Sequence, residues 1–116
     1  MRKIANERTR LEPEFGIKVG RWERYPGLDH LPFGAMWCVV SPGGSSEPDH
    51  HPEIEMAVVV RGTARYTVDG RTVEAEAGSV ILLEPEERHV IHNASLDESL
   101  TILSLYWLPG GGDDVQ

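Results

Sequence analysis

The chain has 116 residues, 40% hydrophobic and 26% charged, enough for one globular domain whose core needs no disulfide staples and too apolar for a disordered chain. Nineteen acidic against eleven basic residues leave a net charge of -8, which repels phosphate backbones and anionic lipid and argues against nucleic-acid and membrane-surface roles. No apolar run approaches the ~18 residues that cross a bilayer, no apolar stretch of a secretory signal follows the basic residues near Met1, and a single cysteine, Cys38, excludes an internal disulfide and suits a reducing, cytoplasmic setting.

Residues 1–14 are polar and read as an arm, with room for a short strand, that packs on a neighbouring subunit. Residues 15–23 alternate, with Phe15, Ile17 and Val19 on one face and Gly16, Lys18 and Gly20 on the other, the pattern of a half-buried strand. Pro26, Gly27 and Pro32 mark a loop over 24–32. Residues 35–41 form a short apolar run whose β-branched and aromatic content favours a strand, and 42–48 are loop in composition. Strands are then predicted at 54–61, 64–68, 71–75, 79–83 and 89–92, with Asp69-Gly70 as a two-residue hairpin turn. The longest β-like run is 99–108, and 109–116 read as a flexible tail. About eight short strands, frequent Gly and Pro, and no amphipathic helix of three turns predict an all-β sandwich or small barrel over 15–108.

Two clusters carry possible chemistry. Asp49, His50, His51 and Glu55 fall within seven residues and lead into the strand at 54–61, and His89 and His92 lie about one hairpin and one strand later. Imidazole nitrogens and carboxylate oxygens are the donors that bind Zn, Fe, Mn or Ni. The spacing is specific. Gly43 is followed by five residues, Asp49-His50-His51, three residues, Glu55, six residues and Gly62; Gly78 is followed by five residues, Glu84-Pro85-Glu86, two residues, His89, three residues and Asn93.

These two motifs in register resemble the cupin superfamily of small jelly-roll β-barrels, over about residues 35–108. The resemblance implies a barrel of two antiparallel sheets and metal ligation by His51, Glu55 and His89, with Asp49 in a fourth site. The sequence departs from the family pattern twice. Asp49 stands where the first motif usually has histidine, and Glu86 stands where the second usually has glycine, which questions any turn needing positive φ there. Residues four apart in a strand share a face, so His51 and Glu55 can point into one barrel and His89 can join them. The plain alternative is a set of polar residues at a barrel mouth, held by hydrogen bonds without an ion.

His50 reads as a surface residue unless Pro52 forces a bulge that lets it replace Asp49. His92 is expected at the surface or an interface, and Asn93 as a turn residue. Trp37, Val39, Tyr66, Ile91, Tyr106 and Trp107 are candidates for the pocket wall, with core packing the default for each. Arg61 can hold an anionic group at the rim or end a strand in solvent. Cys38 reads as a buried, inert thiol. Apolar residues on both faces of 58–60, 81–83 and 100–108 exceed what one barrel interior absorbs, which predicts a homodimer.

The function expected is that of a metal-dependent enzyme on a small-molecule substrate, with Zn or Fe favoured over Mn or Ni and with Asp49 and Glu55 as the carboxylates available for catalysis. Candidate reactions are those of lyases, isomerases, dioxygenases and rearrangements. The stretch 50–55 and the ending 105–109 are also similar to the zinc cupins of bacterial hydrazine synthetases, which form an N–N bond. That likeness implies a separate aminoacyl-tRNA-synthetase-like partner protein. The competing expectation is a non-catalytic binding or sensor cupin. The spacing also looks like the cupin half of AraC-type regulators, but eight residues after Leu108 leave no room for a helix-turn-helix.

Overall fold

The computed structural model describes residues 1–110, so residues 111–116 of the tail expected at 109–116 lie outside the described residues. Among the described residues nine strands follow one another: β1 (Glu12–Glu14), β2 (Ile17–Arg21), β3 (Gly34–Val40), β4 (Ile54–Arg61), β5 (Thr63–Val68), β6 (Arg71–Glu76), β7 (Val80–Leu83), β8 (His89–Asn93) and β9 (Leu100–Trp107). They form a six-stranded sheet in the order β1-β2-β3-β9-β4-β7 and a three-stranded sheet in the order β6-β5-β8. Every pairing is antiparallel. This is the jelly-roll arrangement of two antiparallel sheets expected from the alternating, turn-punctuated sequence.

The turns follow from local chemistry. Asp69 and Gly70 both take positive φ, 50° and 77°, as a two-residue hairpin between β5 and β6 requires. The same geometry recurs at Phe15 and Gly16, at 55° and 77°, where it joins β1 to β2. A phenylalanine there is strained, and the Glu47 N–H, donating to the Phe15 carbonyl at 2.7 Å, holds the turn down. The last residues of the expected arm therefore form an edge strand of this chain's own sheet.

The core lies between the sheets. Ile17 and Val19, Cys38 and Val40, Ala57 and Val59, and Leu100 and Ile102 point inward from the large sheet, and Ala64, Tyr66, Ala75 and Ile91 meet them from the small one. Polar residues break these inward rows at strand ends: Arg21 ends the row of β2, Glu55 opens that of β4, and Ser104 and Tyr106 close that of β9. Antiparallel register brings those ends together, because Arg21 opposes Met36, Met36 opposes Ser104, and Tyr106 opposes both Gly34 and Glu55. One edge of the interior is thus polar while the cluster between the sheets is apolar.

The outer face of the large sheet is apolar too. Part of it is covered by the loop that begins with a 3₁₀ turn at Trp22–Arg24, where Trp22 packs on Trp37 with ring centroids 6.0 Å apart. Val60, Val80 and Leu82 remain exposed there.

Candidate metal centre and cavity

The two donor clusters meet because residues 45–51 run beside β8. Ser45 bridges His92 and Asp49 bridges His89. The second bridge is reciprocal, with Asp49 N–H donating to the His89 carbonyl at 3.1 Å and His89 N–H to the Asp49 carbonyl at 2.9 Å. Ser46 adds a backbone bond to Ile91 and accepts the Ile91 N–H at its own Oγ. The loop before His89 is pinned from the other side, where Glu86 N–H donates to the His51 carbonyl at 2.7 Å. Glu86 takes φ 64°, so the left-handed turn survives with glutamate in it, at a strain cost of order 1 kcal/mol. Its carboxylate accepts from His50 Nδ1 at 2.9 Å on the exposed rim.

Both inner imidazoles are oriented by backbone. His51 Nδ1 donates to the Glu53 carbonyl at 3.1 Å, and His89 Nδ1 donates to the Glu87 carbonyl at 3.0 Å. This turns the His89 Nε2 toward the other donors and the His51 Nε2 toward Glu55, the usual way a ligating histidine is fixed. The rings stand edge to face, 5.3 Å apart. One donor atom each from Asp49, His51 and His89 lies within 4.8 Å of the others. Glu55 joins them through Oε1, 3.0 Å from His51 Nε2, and its Oε2 accepts from the buried Ser104 hydroxyl at 2.9 Å. The hydrogen bond to Glu55 pushes the His51 pKa up to about 8 against the effect of burial. Burial of Glu55 would raise its carboxyl, but bonds from His51 and Ser104 and the charges of both histidines outweigh it and hold the value below the usual range. Asp49, His51 and His89 fit a divalent transition metal in ligand type and in spacing, and Glu55 lies beside them as a second carboxylate.

The donors open onto a cavity of about 240 Å³, room for a small molecule of roughly eight water volumes. Phe15, Ile17, Met36 and Ile91 supply its apolar wall, and Arg21 and Tyr106 its polar one. Glu14 accepts from Arg21 Nε at 3.1 Å and from Nη2 at 3.0 Å, and Arg21 Nη1 donates to the Tyr106 oxygen at 3.0 Å. Tyr106 reaches this position by lying flat over Gly34: a Cβ at residue 34 would sit 2.0 Å from Tyr106 Cε2.

The cupin domain family model (Cupin_2) matches residues 36–106, more than half of the chain. The chain is a cupin. This cupin is similar to the crystal structure of a cupin 2 conserved barrel domain protein from Salinispora arenicola, at 30% identity and a TM-score of 0.84 over 98% of this chain and 94% of that one. A protein from Photorhabdus luminescens matches at 23% identity and a TM-score of 0.82, over 98% and 92% of the two chains. A predicted oxalate decarboxylase from Thermotoga maritima matches at 21% identity and a TM-score of 0.66, over 79% and 80%. The last two share the fold.

Within the cupin fold, Asp49, His51, Glu55 and His89 come together, and Tyr106 and Ile91 line the cavity beside them. Four other pocket candidates lie elsewhere. Trp37 and Val39 sit on the outer face, out of phase with Met36 and Cys38. Trp107 is likewise one residue out of phase with Tyr106. Tyr66 is buried at 2% exposure among core residues of the small sheet and does not reach the cavity wall. Arg61 ends β4 at the far side, exposed and 3.8 Å from Glu98. His50 stays on the surface, and His92 bonds to Ser45 Oγ at 2.6 Å away from the cavity. Asn93 is structural: its amide donates to the carbonyls of Val40, Ser41 and Glu98, and its oxygen accepts from Ser95. Cys38 borders the cavity, but burial pushes its thiol up to about 12, which leaves no thiolate for attack.

Arg21 and Ser104 are the functional residues that sequence reasoning missed. Both carried a signal. Arg21 is the next member of the inward series Ile17, Val19, and Ser104 interrupts the inward series Leu100, Ile102.

Proposed function

We propose that this cupin is a metal-dependent enzyme acting on a small molecule, with His51, Glu55 and His89 holding a divalent ion and Asp49 as fourth ligand. The observation that carries this reading is the pair of imidazoles, each anchored at Nδ1 by a backbone carbonyl so that Nε2 faces the other donors. A packed histidine also bonds its ring N–H; what points to an ion is that both rings converge with Asp49. A bound ion would act as a Lewis acid toward a substrate oxygen or water, or toward O₂ where the metal is redox-active. The protein's own part is to hold Glu55 rigid through Ser104, to wall the cavity with apolar side chains and to orient substrate against Arg21 and Tyr106. Zinc or iron suits the donor set best, with manganese or nickel as further options. Zinc in the isolated protein favours N–N bond formation with a separate synthetase-like partner over oxygenation, because zinc has no redox chemistry.

Elemental analysis of the purified protein tests the reading. Near-stoichiometric metal that is lost in His89→Ala supports it, and no metal after reconstitution with Zn, Fe(II), Mn and Ni in turn refutes it. A binding or sensor role would show metal and ligand uptake without turnover across substrate panels.

We also propose that a second copy of this chain covers the outer face of the large sheet. Exposed Val60, Val80 and Leu82 continue half-buried Met56, Val58, Leu103 and Leu105 into one apolar surface. Sedimentation equilibrium should give a dimer that Leu82→Glu dissociates, and a monomeric wild-type chain would rule the contact out. The buried thiol and the absence of a disulfide suit a cytoplasmic setting.

A further inference from the structure

Opposite the metal donors, the cavity presents hydrogen-bond donors without matching acceptors. Arg21 carries five N–H donors; Nε and Nη2 are engaged by Glu14 and Nη1 by the Tyr106 oxygen. Because arginine accepts no hydrogen bond, the phenolic proton of Tyr106 cannot be directed at Arg21. Among the described residues it has no other acceptor within hydrogen-bond distance, and the ring borders the cavity directly across the strand pair from Glu55. A substrate atom entering here meets an O–H and the spare N–H groups of a half-buried guanidinium, so it must be an acceptor.

Charge then decides which acceptor. Glu14 pairs with the guanidinium through two of its nitrogens, and Glu23 stands 3.9 Å from a third. The cavity wall holds four carboxylates, Glu47, Asp49, Glu53 and Glu55, against the single guanidinium. A divalent ion offsets two of those charges and leaves an excess of negative charge around the entering group. A second anion beside Glu14 is disfavoured, whereas a neutral oxygen loses little.

We infer that Tyr106 and Arg21 form a hydrogen-bonding site for an uncharged carbonyl or hydroxyl oxygen of a small substrate, and that Glu14 makes the site discriminate against carboxylates. The inference rests on reading the cavity as a substrate site and deepens it. Gly34 belongs to the same device, because only a residue without Cβ lets the Tyr106 ring lie where its oxygen meets Arg21.

Two probes of nearly the same shape test it: trifluorobutyramide and trifluorobutyrate, titrated into the full chain and followed by fluorine NMR relaxation. The deciding series uses metal-free protein, so that a carboxylate binding to the ion itself does not enter. The amide should bind about tenfold more tightly than the acid. Tyr106→Phe should weaken the amide about fivefold or more, and Glu14→Gln should tighten the acid about tenfold by leaving Arg21 unopposed. Acid binding equal to or tighter than amide binding in the wild type overturns the inference. So does amide affinity indifferent to Tyr106→Phe, or binding of neither probe. Near-ultraviolet circular dichroism of each variant separates a lost contact from a lost fold. Metal content, read in the same preparations, separates the two proposals: a probe failure with metal retained sinks the oxygen site alone, and an amide preference in a chain that never binds metal sinks the metal reading alone.

Discussion

Replacing Gly34 by alanine should destabilise the protein for a reason confined to one neighbour. An ideal Cβ there lies 2.0 Å from Tyr106 Cε2 and 2.5 Å from Cζ, where carbon atoms settle at about 3.5–4.0 Å. The ring must retreat by roughly 1.5 Å, which takes its oxygen out of reach of Arg21 Nη1, now 3.0 Å away. Overpacking costs about 1–3 kcal/mol, and the lost bond to a charged donor about 1.5 kcal/mol more. The φ of Gly34 lies outside the left-handed region, so alanine recovers about 0.5–1 kcal/mol of strand entropy. The net loss is about 3 kcal/mol, or about 1.5 M in urea midpoint at a slope of ~2 kcal/mol/M. In a Tyr106→Ala background the obstacle is gone, and the same substitution should stabilise by about 0.5 kcal/mol. Urea unfolding of the four proteins closes the cycle. An equal cost in both backgrounds would refute the assignment of Gly34 to the tyrosine.

Four further outcomes are expected. Glu86→Gly should be more stable than Glu86→Ala by about 1 kcal/mol in urea unfolding, since both lose the exposed His50 pair but only glycine relieves φ 64°; equal stabilities would remove the strain. Ser104→Ala should cost about 1.5–3 kcal/mol by leaving a buried Glu55 oxygen without its donor, and should lower zinc affinity about 10–100-fold in chelator competition; unchanged affinity would mean the hydroxyl does not orient the ligand. Asp49→Asn should reduce zinc affinity less than Glu55→Gln, because among the described residues the Asp49 side chain accepts no hydrogen bond while Glu55 is held at both oxygens; the reverse order would make Asp49 the principal carboxylate ligand. The metal-free chain should lose stability in alkali. The His51 pKa, raised from 6.5 to about 8, stabilises the fold in full below pH 6.5, and this contribution, about 2 kcal/mol, disappears as pH rises through 8. The lowered Glu55 carboxyl acts at the other end, contributing above 4.5 and fading as pH falls through its folded value. Urea midpoints at pH 6 and pH 9 that coincide, or a drop that persists in His51→Gln, would contradict this.

The fold was legible because jelly-roll strands are short and their boundaries chemical. Asp69-Gly70 announced its turn, and the predicted strand at 54–61 coincides with β4. β1 was legible only as room for a short strand in the arm, because three residues with a central proline, Glu12–Glu14, carry no alternation; an edge strand tolerates proline, since only one side of it must pair. The clustering of Asp49, His51, Glu55 and His89 followed from spacing, since motif glycines Gly43, Gly62 and Gly78 all take positive φ and hold the loops in register. The pocket wall was harder. Which of two adjacent residues faces inward depends on a phase that one slip reverses. Trp37 and Trp107 drew attention by size, while the inward row ran through Met36 and Tyr106. Arg61 and Arg21 both end apolar strands, and composition cannot tell them apart. The difference lies in which end of the sheet each strand delivers, a property of the β2–β3–β9–β4 order and of nothing local.

That order also explains why a site of this kind stiffens rather than burdens the fold. Buried charge is costly unless paired, and Glu55, at 4% exposure, would by itself be a liability in β4. It is tolerated because antiparallel register sets Ser104 within reach from β9 and because His51, four residues earlier, folds back onto its other oxygen. His51 is in turn held by the Glu53 carbonyl, and its own carbonyl pins Glu86 and so the entry to β8 and His89. The donor segments are bonded to one another, Asp49 to His89 and Glu86 to His51 through the backbone and Glu55 to Ser104 and His51 through its side chain, so no single loop can withdraw without breaking a bond made by another. An ion binding here would tie 49–51, β4 and β8 together in the folded state alone. Its binding energy would then add to folding stability instead of drawing on it.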